Sequence, residues 1–277
     1  MNQDEVLNHL CEEYRSEVNR IQDFLREIRR FLSQKQDQAM LLVKHLGRRD
    51  IGELKRLLSF LKPIFEKKTS LPNHAKQLTL QSEAVVKLVR NMAVPIKYRT
   101  LLAEMTLTHL IAQQEGFLKE YVFNLLMFRR ELLKSNKQLT YSEICDSESH
   151  DALLRTMARR EADALGHGSI DDFARYLKER MGTDVSLFPE WKRLRESSYR
   201  RNLLAHTRGV TNETYCSKVG FRKNGVRLST TLHYTAKTAN TVMRFIEYTD
   251  HQLRKKFRIK MRKKPNKALQ RMTYSHR

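Results

Sequence analysis

Residues 188–215 read FPEWKRLRESSYRRNLLAHTRGVTNETY. A helix is expected to start just after Phe188-Pro189, at about Glu190, because Trp191, Leu194, Tyr199, Leu203 and Leu204 fall near helical spacing. It is expected to break at Gly209, a residue suited to a left-handed cap. Its last turns carry Arg201, Asn202 and His206, and the loop beyond carries Thr211, Asn212 and Tyr215. Asn202 and His206 are four apart and so share a face. Arg201 lies about 140° around the ideal helix from His206, a turn that a long arginine side chain can span.

A guanidinium, an amide and an imidazole gathered at a helix C-terminus suit phosphate chemistry. The carbonyl end of a helix favours positive charge. An imidazole there serves as general acid when protonated and as general base when neutral. Arginine offers the planar fork that phosphate and a charged transition state prefer. The plainer alternative is a solvated basic face with a C-terminal dipole partner, and on composition alone that is the commoner case. Arg200 sits beside Arg201 and offers a second spacing to His206.

The rest of the chain sets the context. It has 277 residues, with 53 Lys and Arg against 31 Asp and Glu, a net charge of +22 that points to a polyanionic partner. Nucleic acid comes first and an anionic membrane surface second. Cys11, Cys145 and Cys216 are far apart and suggest neither a disulfide framework nor a zinc site, so no metal and no cofactor are expected. The start, MNQDEVLNHLCEEYR, is acidic rather than a secretory signal, and no apolar run approaches a membrane span, so a cytoplasmic location is expected.

Nine Gly, five Pro and long 3.6-period stretches argue for an all-α fold. Amphipathic helices are expected over 3–34, with a continuation toward Gly47, over 51–67 with a kink at Pro63, and over 75–92, stopping before Pro95. A long apolar helix follows over 97–136. Ser147 or Ser149 caps one over 148–165, and the turn Gly166-His167-Gly168 breaks it. Ser169 caps a shorter helix ending at Gly182. Residues 216–228 read as irregular, a short hairpin or loop with a turn at Asn224-Gly225. The final helix spans about 230–258 and closes a four-helix core with the 97–136, 148–165 and 190–208 helices. The run RKKFRIKMRKK at 254–264 holds eight Lys or Arg. Arg254, Lys255, Lys256, Arg258, Lys260 and Arg262 are its candidates for gripping an RNA backbone; a solubilising tail and a membrane contact remain the alternatives.

Arg201-Asn202-x-x-x-His206, with Gly209 and Asn212 after it, resembles the Arg-x-x-x-x-His signature of the HEPN superfamily, within it the RiboL-PSP-HEPN type. Gln114-Glu115-Gly116-Phe117-Leu118 is similar to that type's first long helix, where a glutamate precedes an aromatic. The resemblance spans about 97–258. It implies an all-α HEPN-like bundle, preceded here by an N-terminal set of amphipathic helices. Domains are accordingly set at 1–95, 96–260 and a basic, disordered tail at 261–277. It also implies a metal-independent endoribonuclease that works by 2′-hydroxyl attack and leaves a 2′,3′-cyclic phosphate. The resemblance further implies an active homodimer with the motifs at its interface. Arg201 then binds the scissile phosphate, His206 moves the proton, Asn202 orients one of them, and Glu196 or Glu115 positions Arg201. Asn212 and Tyr215 support the site. At family level the domain serves as a toxin or phage-defence effector with a cognate inhibitor or antitoxin. The alternatives are a non-catalytic RNA-binding or dimeric scaffold of the same fold and a membrane-surface adaptor.

Overall fold

The computed structural model describes residues 2–65 (backbone alone for 60–65), 81–134, 138–166 and 168–260. Among these the chain is all-α: α1 (Gln3–Lys44), α2 (Arg48–Phe65), α3 (Glu83–Phe128), α4 (Tyr141–Cys145), α5 (His150–Gly166), α6 (Ile170–Met181), α7 (Trp191–Thr207), α8 (Glu213–Val219) and α9 (Leu232–Phe257). Short 3-10 turns cover Arg130–Leu133 and Val185–Leu187. Pro63 lies beyond the side chains described. The helix start near 75, His167 and residues 261–277, Arg262 included, lie outside the described residues.

Local chemistry sets most helix ends. Asn2 opens α1 by accepting the Glu5 amide, while the Glu5 carboxylate accepts the Asn2 amide, both at 2.9 Å. Ser149 is the residue that caps α5, accepting the Ala152 amide at 3.1 Å. Ser169 and Asp172 form a reciprocal capping box on α6, which ends at Gly182 with φ 61°.

Two compact units divide the chain. The first gathers the described parts of Met1–Ile21, Thr106–Leu228 and Ala236–Arg277; the second gathers those of Gln22–Met105 and Ser229–Thr235. The division therefore runs within α1 and α3 rather than at residue 95, and residues 2–21 share a unit with α7.

In the first unit, α3 reaches α5 through Glu120 and Arg159, α7 through Glu115 and Arg201, and α9 through Tyr121 and Asp250. The helix α6 packs on α7, and the first turns of α1 lie against α3. Phe117 packs edge-on against Tyr14, with ring centroids 5.2 Å apart, and Phe188 packs likewise against Phe245 at 5.4 Å. Gly116 lets Tyr14 approach, because a Cβ there would stand 2.9 Å from the tyrosine hydroxyl. In the second unit, Glu53 of α2 accepts the Gln81 and Ser82 amides at 2.6 and 3.1 Å, tying the start of α3 to α2.

Two expectations about α3 are corrected. The helix does not stop before Pro95 but runs through it from Glu83 to Phe128. Proline removes one hydrogen bond and costs about 3 kcal/mol. Buried anchors on either side, Val85 and Leu88 before it and Ala103, Leu107 and Leu110 after, outweigh that cost. The helix also ends at Phe128 rather than near 136. There the Arg129 guanidinium turns to the Phe257 carbonyl at 2.7 Å, and a 3-10 turn buries Leu133.

Candidate active site

The helix α7 begins where Glu190 caps it without a side-chain hydrogen bond. The Glu190 carboxylate is turned instead to α9, taking Thr241 Oγ1 at 2.7 Å and the Arg244 fork at 2.6 and 2.8 Å. Trp191 stacks obliquely on Phe245, so the N-terminal half of α7 is fastened to α9. The C-terminal break spreads over two residues, Arg208 (φ 54°) and Gly209 (φ 79°). The Gly209 amide donates back to the Leu203 carbonyl at 2.9 Å, satisfying a carbonyl of the last turn.

Beyond the break, Gly209 accepts the Leu228 amide at 2.9 Å, Thr211 donates to Val226 at 3.0 Å, and Val210 bridges Arg227. The turn at Asn224-Gly225 is present, with Gly225 at φ 71°. The helix α8 (Glu213–Val219) takes the first four residues of the expected irregular stretch, which corrects it over 216–219, while 220–228 is irregular with its turn and one antiparallel bridge, as expected. Asn212 accepts the Tyr215 amide at 2.9 Å and starts α8. Tyr215 and Val219, four apart, then pack toward Tyr199 and Leu203 of α7. The Asn cap and an apolar pair at helical spacing were the available signals.

Glu196 and Glu115, alternatives in the sequence, take different partners. Glu115 on α3 pairs with Arg201. Burial pushes the Glu115 carboxyl above its ordinary value, and attraction to Arg201 opposes this only in part. Glu196 instead accepts Arg200 Nε at 2.8 Å and the Tyr215 hydroxyl at 2.7 Å. Tyr215 is 2% exposed, and burial first, then Glu196, drives its phenol far above the usual range. It anchors α8 to α7 through Glu196 and presents no surface to a ligand.

Asn202 is half-buried, and His206, one turn later, is exposed. His206 makes no hydrogen bond or ion pair with a described residue. Along the same stripe of α7, at steps of four, three and four, lie Arg195, Tyr199, Asn202 and His206. The first two converge on Asp171 of α6: Arg195 Nε and the Tyr199 hydroxyl reach the same carboxylate oxygen at 2.8 and 2.9 Å. Asp171 is not legible as a site residue in the sequence, where its only signal is a carboxylate in the first turn of a capped helix.

The basic run is corrected at its first member. Arg254 is 1% exposed. Its Nε donates to Asp250 at 2.6 Å and its Nη1 to the Lys260 carbonyl at 2.8 Å, while the Tyr121 hydroxyl donates to the same Asp250 oxygen at 2.8 Å. The i,i+4 pairing of Asp250 with Arg254 explains this: at that depth a charge needs a partner, and α9 supplies one. Lys255, Lys256, Arg258 and Lys260 are exposed. No group of three metal-ligating side chains occurs among the described residues, and no described helix is long and apolar enough to cross a membrane.

Compared with known proteins, the chain matches no family model, no curated protein and no solved structure.

Proposed function

We propose that the chain is a metal-independent endoribonuclease of HEPN type, acting as a homodimer on cytoplasmic RNA. The arrangement that carries this reading is on α7: Arg201 is held by Glu115 of α3, and His206 stands exposed without a described partner one turn after Asn202. A fixed cation and an accessible imidazole are what an in-line attack on phosphorus needs from a protein. In this reaction the 2′-oxygen bonds to phosphorus and the bond to the 5′-oxygen breaks. The 2′-hydroxyl proton passes to a base, and a proton is returned to the departing 5′-oxygen. Arg201 neutralises the phosphorane-like charge, Glu115 positions Arg201, and His206 carries the proton transfer. Asn202 orients the reacting groups. The net charge of +22 supplies attraction for the RNA backbone. A toxin or phage-defence role, checked by a cognate inhibitor, follows from the same reading.

The test is cleavage of total tRNA and a generic RNA in EDTA by wild type and by His206→Ala, purified to one standard. EDTA-resistant cutting with cyclic phosphate ends, lost in the variant, is the expected result; equal activity in both would refute it.

One observation favours a second reading, a non-catalytic RNA-binding dimer or scaffold. The Arg201 guanidinium is already engaged by Glu115, and its Nε is buried without a hydrogen bond. Salt-sensitive RNA binding with no cleavage by wild type would select that reading.

A further inference from the structure

Outside the motif, α5 presents an open groove lined by Arg155, Thr156, Arg159, Arg160 and Asp163. Three arginines face one carboxylate there, and that carboxylate, Asp163, is already paired with Lys119 at 2.5 Å. Arg159 sits over the Phe123 ring of α3, its guanidinium carbon 3.8 Å from the ring centre. Its Nη1 donates to Glu120 at 2.5 Å, which locks the plane in place. Arg160 is held by Glu143 of α4. Arg155, one turn before Arg159, is exposed and makes no hydrogen bond or ion pair with a described residue.

We propose that this groove is a second contact for single-stranded RNA, in which an unpaired base stacks on the outer face of Arg159 and Arg155 takes a neighbouring phosphate. A guanidinium backed by an aromatic ring is a rigid, planar, cationic platform, and unstacked bases dock on such planes. Arg155 stands about 6 Å along the helix axis from Arg159, so a strand crossing the platform meets it within one residue of backbone. An acidic peptide would satisfy the charges but has no use for the plane, and a duplex keeps its bases stacked. The groove rests on the reading that the ligand is RNA, though not on whether that RNA is cut.

The experiment is fluorescence anisotropy with the full chain and a labelled twelve-residue single-stranded oligonucleotide carrying 2′-deoxy sugars, which cannot be cleaved through a 2′-hydroxyl. Arg159→Ala is expected to weaken binding about tenfold. Arg159→Lys keeps the charge without the plane and is expected to do no better. Arg155→Ala, which has no internal bond to lose, is expected to lower the slope of log affinity against log salt by about 0.7. Unchanged binding in Arg155→Ala and Arg159→Ala, full recovery in Arg159→Lys, or equal competition by poly-glutamate would overturn the proposal. Wild type that cuts RNA while these variants bind normally would sink the groove alone. Wild type that neither binds nor cuts would sink the nuclease reading and the groove together.

Discussion

At the scale of single residues, the motif helix separates two cations that look alike in the sequence. Arg200 and Arg201 are neighbours, yet a step of 100° along the helix sends them to different carboxylates, Glu196 and Glu115. The Glu115 pairing has a consequence for pH. Its carboxyl is raised above its ordinary value of 4.5, so the folded state holds its proton more tightly than the unfolded chain. Its contribution to stability is full below pH 4.5 and is lost as pH rises through the higher folded value. Glu115→Gln should remove that dependence. The stability of wild type minus that of the variant, from urea unfolding at a series of pH values, is expected to fall as pH rises from 4 toward neutrality. A difference that grew with pH would mean that the Arg201 attraction, rather than burial, sets the carboxyl. At the same scale, His206→Ala is expected to abolish RNA cleavage while leaving RNA affinity within about twofold, since an exposed surface substitution without partners perturbs folding little.

At the scale of elements, capping chemistry and apolar periodicity made α1, α5, α6 and α9 legible to within a few residues. Both signals are local, and where they agreed, as at Ser169 and Gly182, the helix is where they placed it. Three features were hidden because their causes lie in packing rather than in the local pattern. The passage of α3 through Pro95 depends on anchors buried on both sides of it. The helix α8 depends on Tyr215 and Val219 finding an apolar patch on α7. The burial of Arg254 shows only in the fold, where its i,i+4 partner Asp250 also accepts the Tyr121 hydroxyl. The candidate site divides in the same way: Asn202 and His206 share their face by spacing alone, whereas the choice of Glu115 over Glu196 for Arg201 needed the tertiary fold. Two substitutions probe the hidden part. Tyr215→Phe keeps the ring and deletes the hydroxyl given to Glu196, and is expected to cost about 1–2 kcal/mol of unfolding free energy. Arg254→Ala strands Asp250 in the interior and is expected to cost about 3–5 kcal/mol. If Arg254→Ala were thermally neutral but poor at binding RNA, the arginine would belong to the basic face after all.

At the scale of the whole molecule, the question is whether one chain can hold a complete site. Within a chain, Arg201 faces α3 and pairs with Glu115, whereas His206 lies about 140° around α7 and is exposed. A composite site resolves this geometry, because the imidazole of one copy can then work beside the guanidinium of another across a two-fold interface. Subunit mixing distinguishes the two arrangements. Arg201→Ala and His206→Ala are each expected to be inactive as homodimers. Mixed, unfolded together and refolded, they form heterodimers in which the His206→Ala copy still carries Arg201 and the Arg201→Ala copy still carries His206. If the site is shared, those intact groups meet across the interface and cleavage returns in the mixture. If each chain works alone, every chain in the mixture lacks one group and no activity appears. The readout is EDTA-resistant release of cyclic phosphate ends, with a single-species sedimentation profile to establish that heterodimers formed. A mixture that sediments as a dimer and stays inert would remove the composite site.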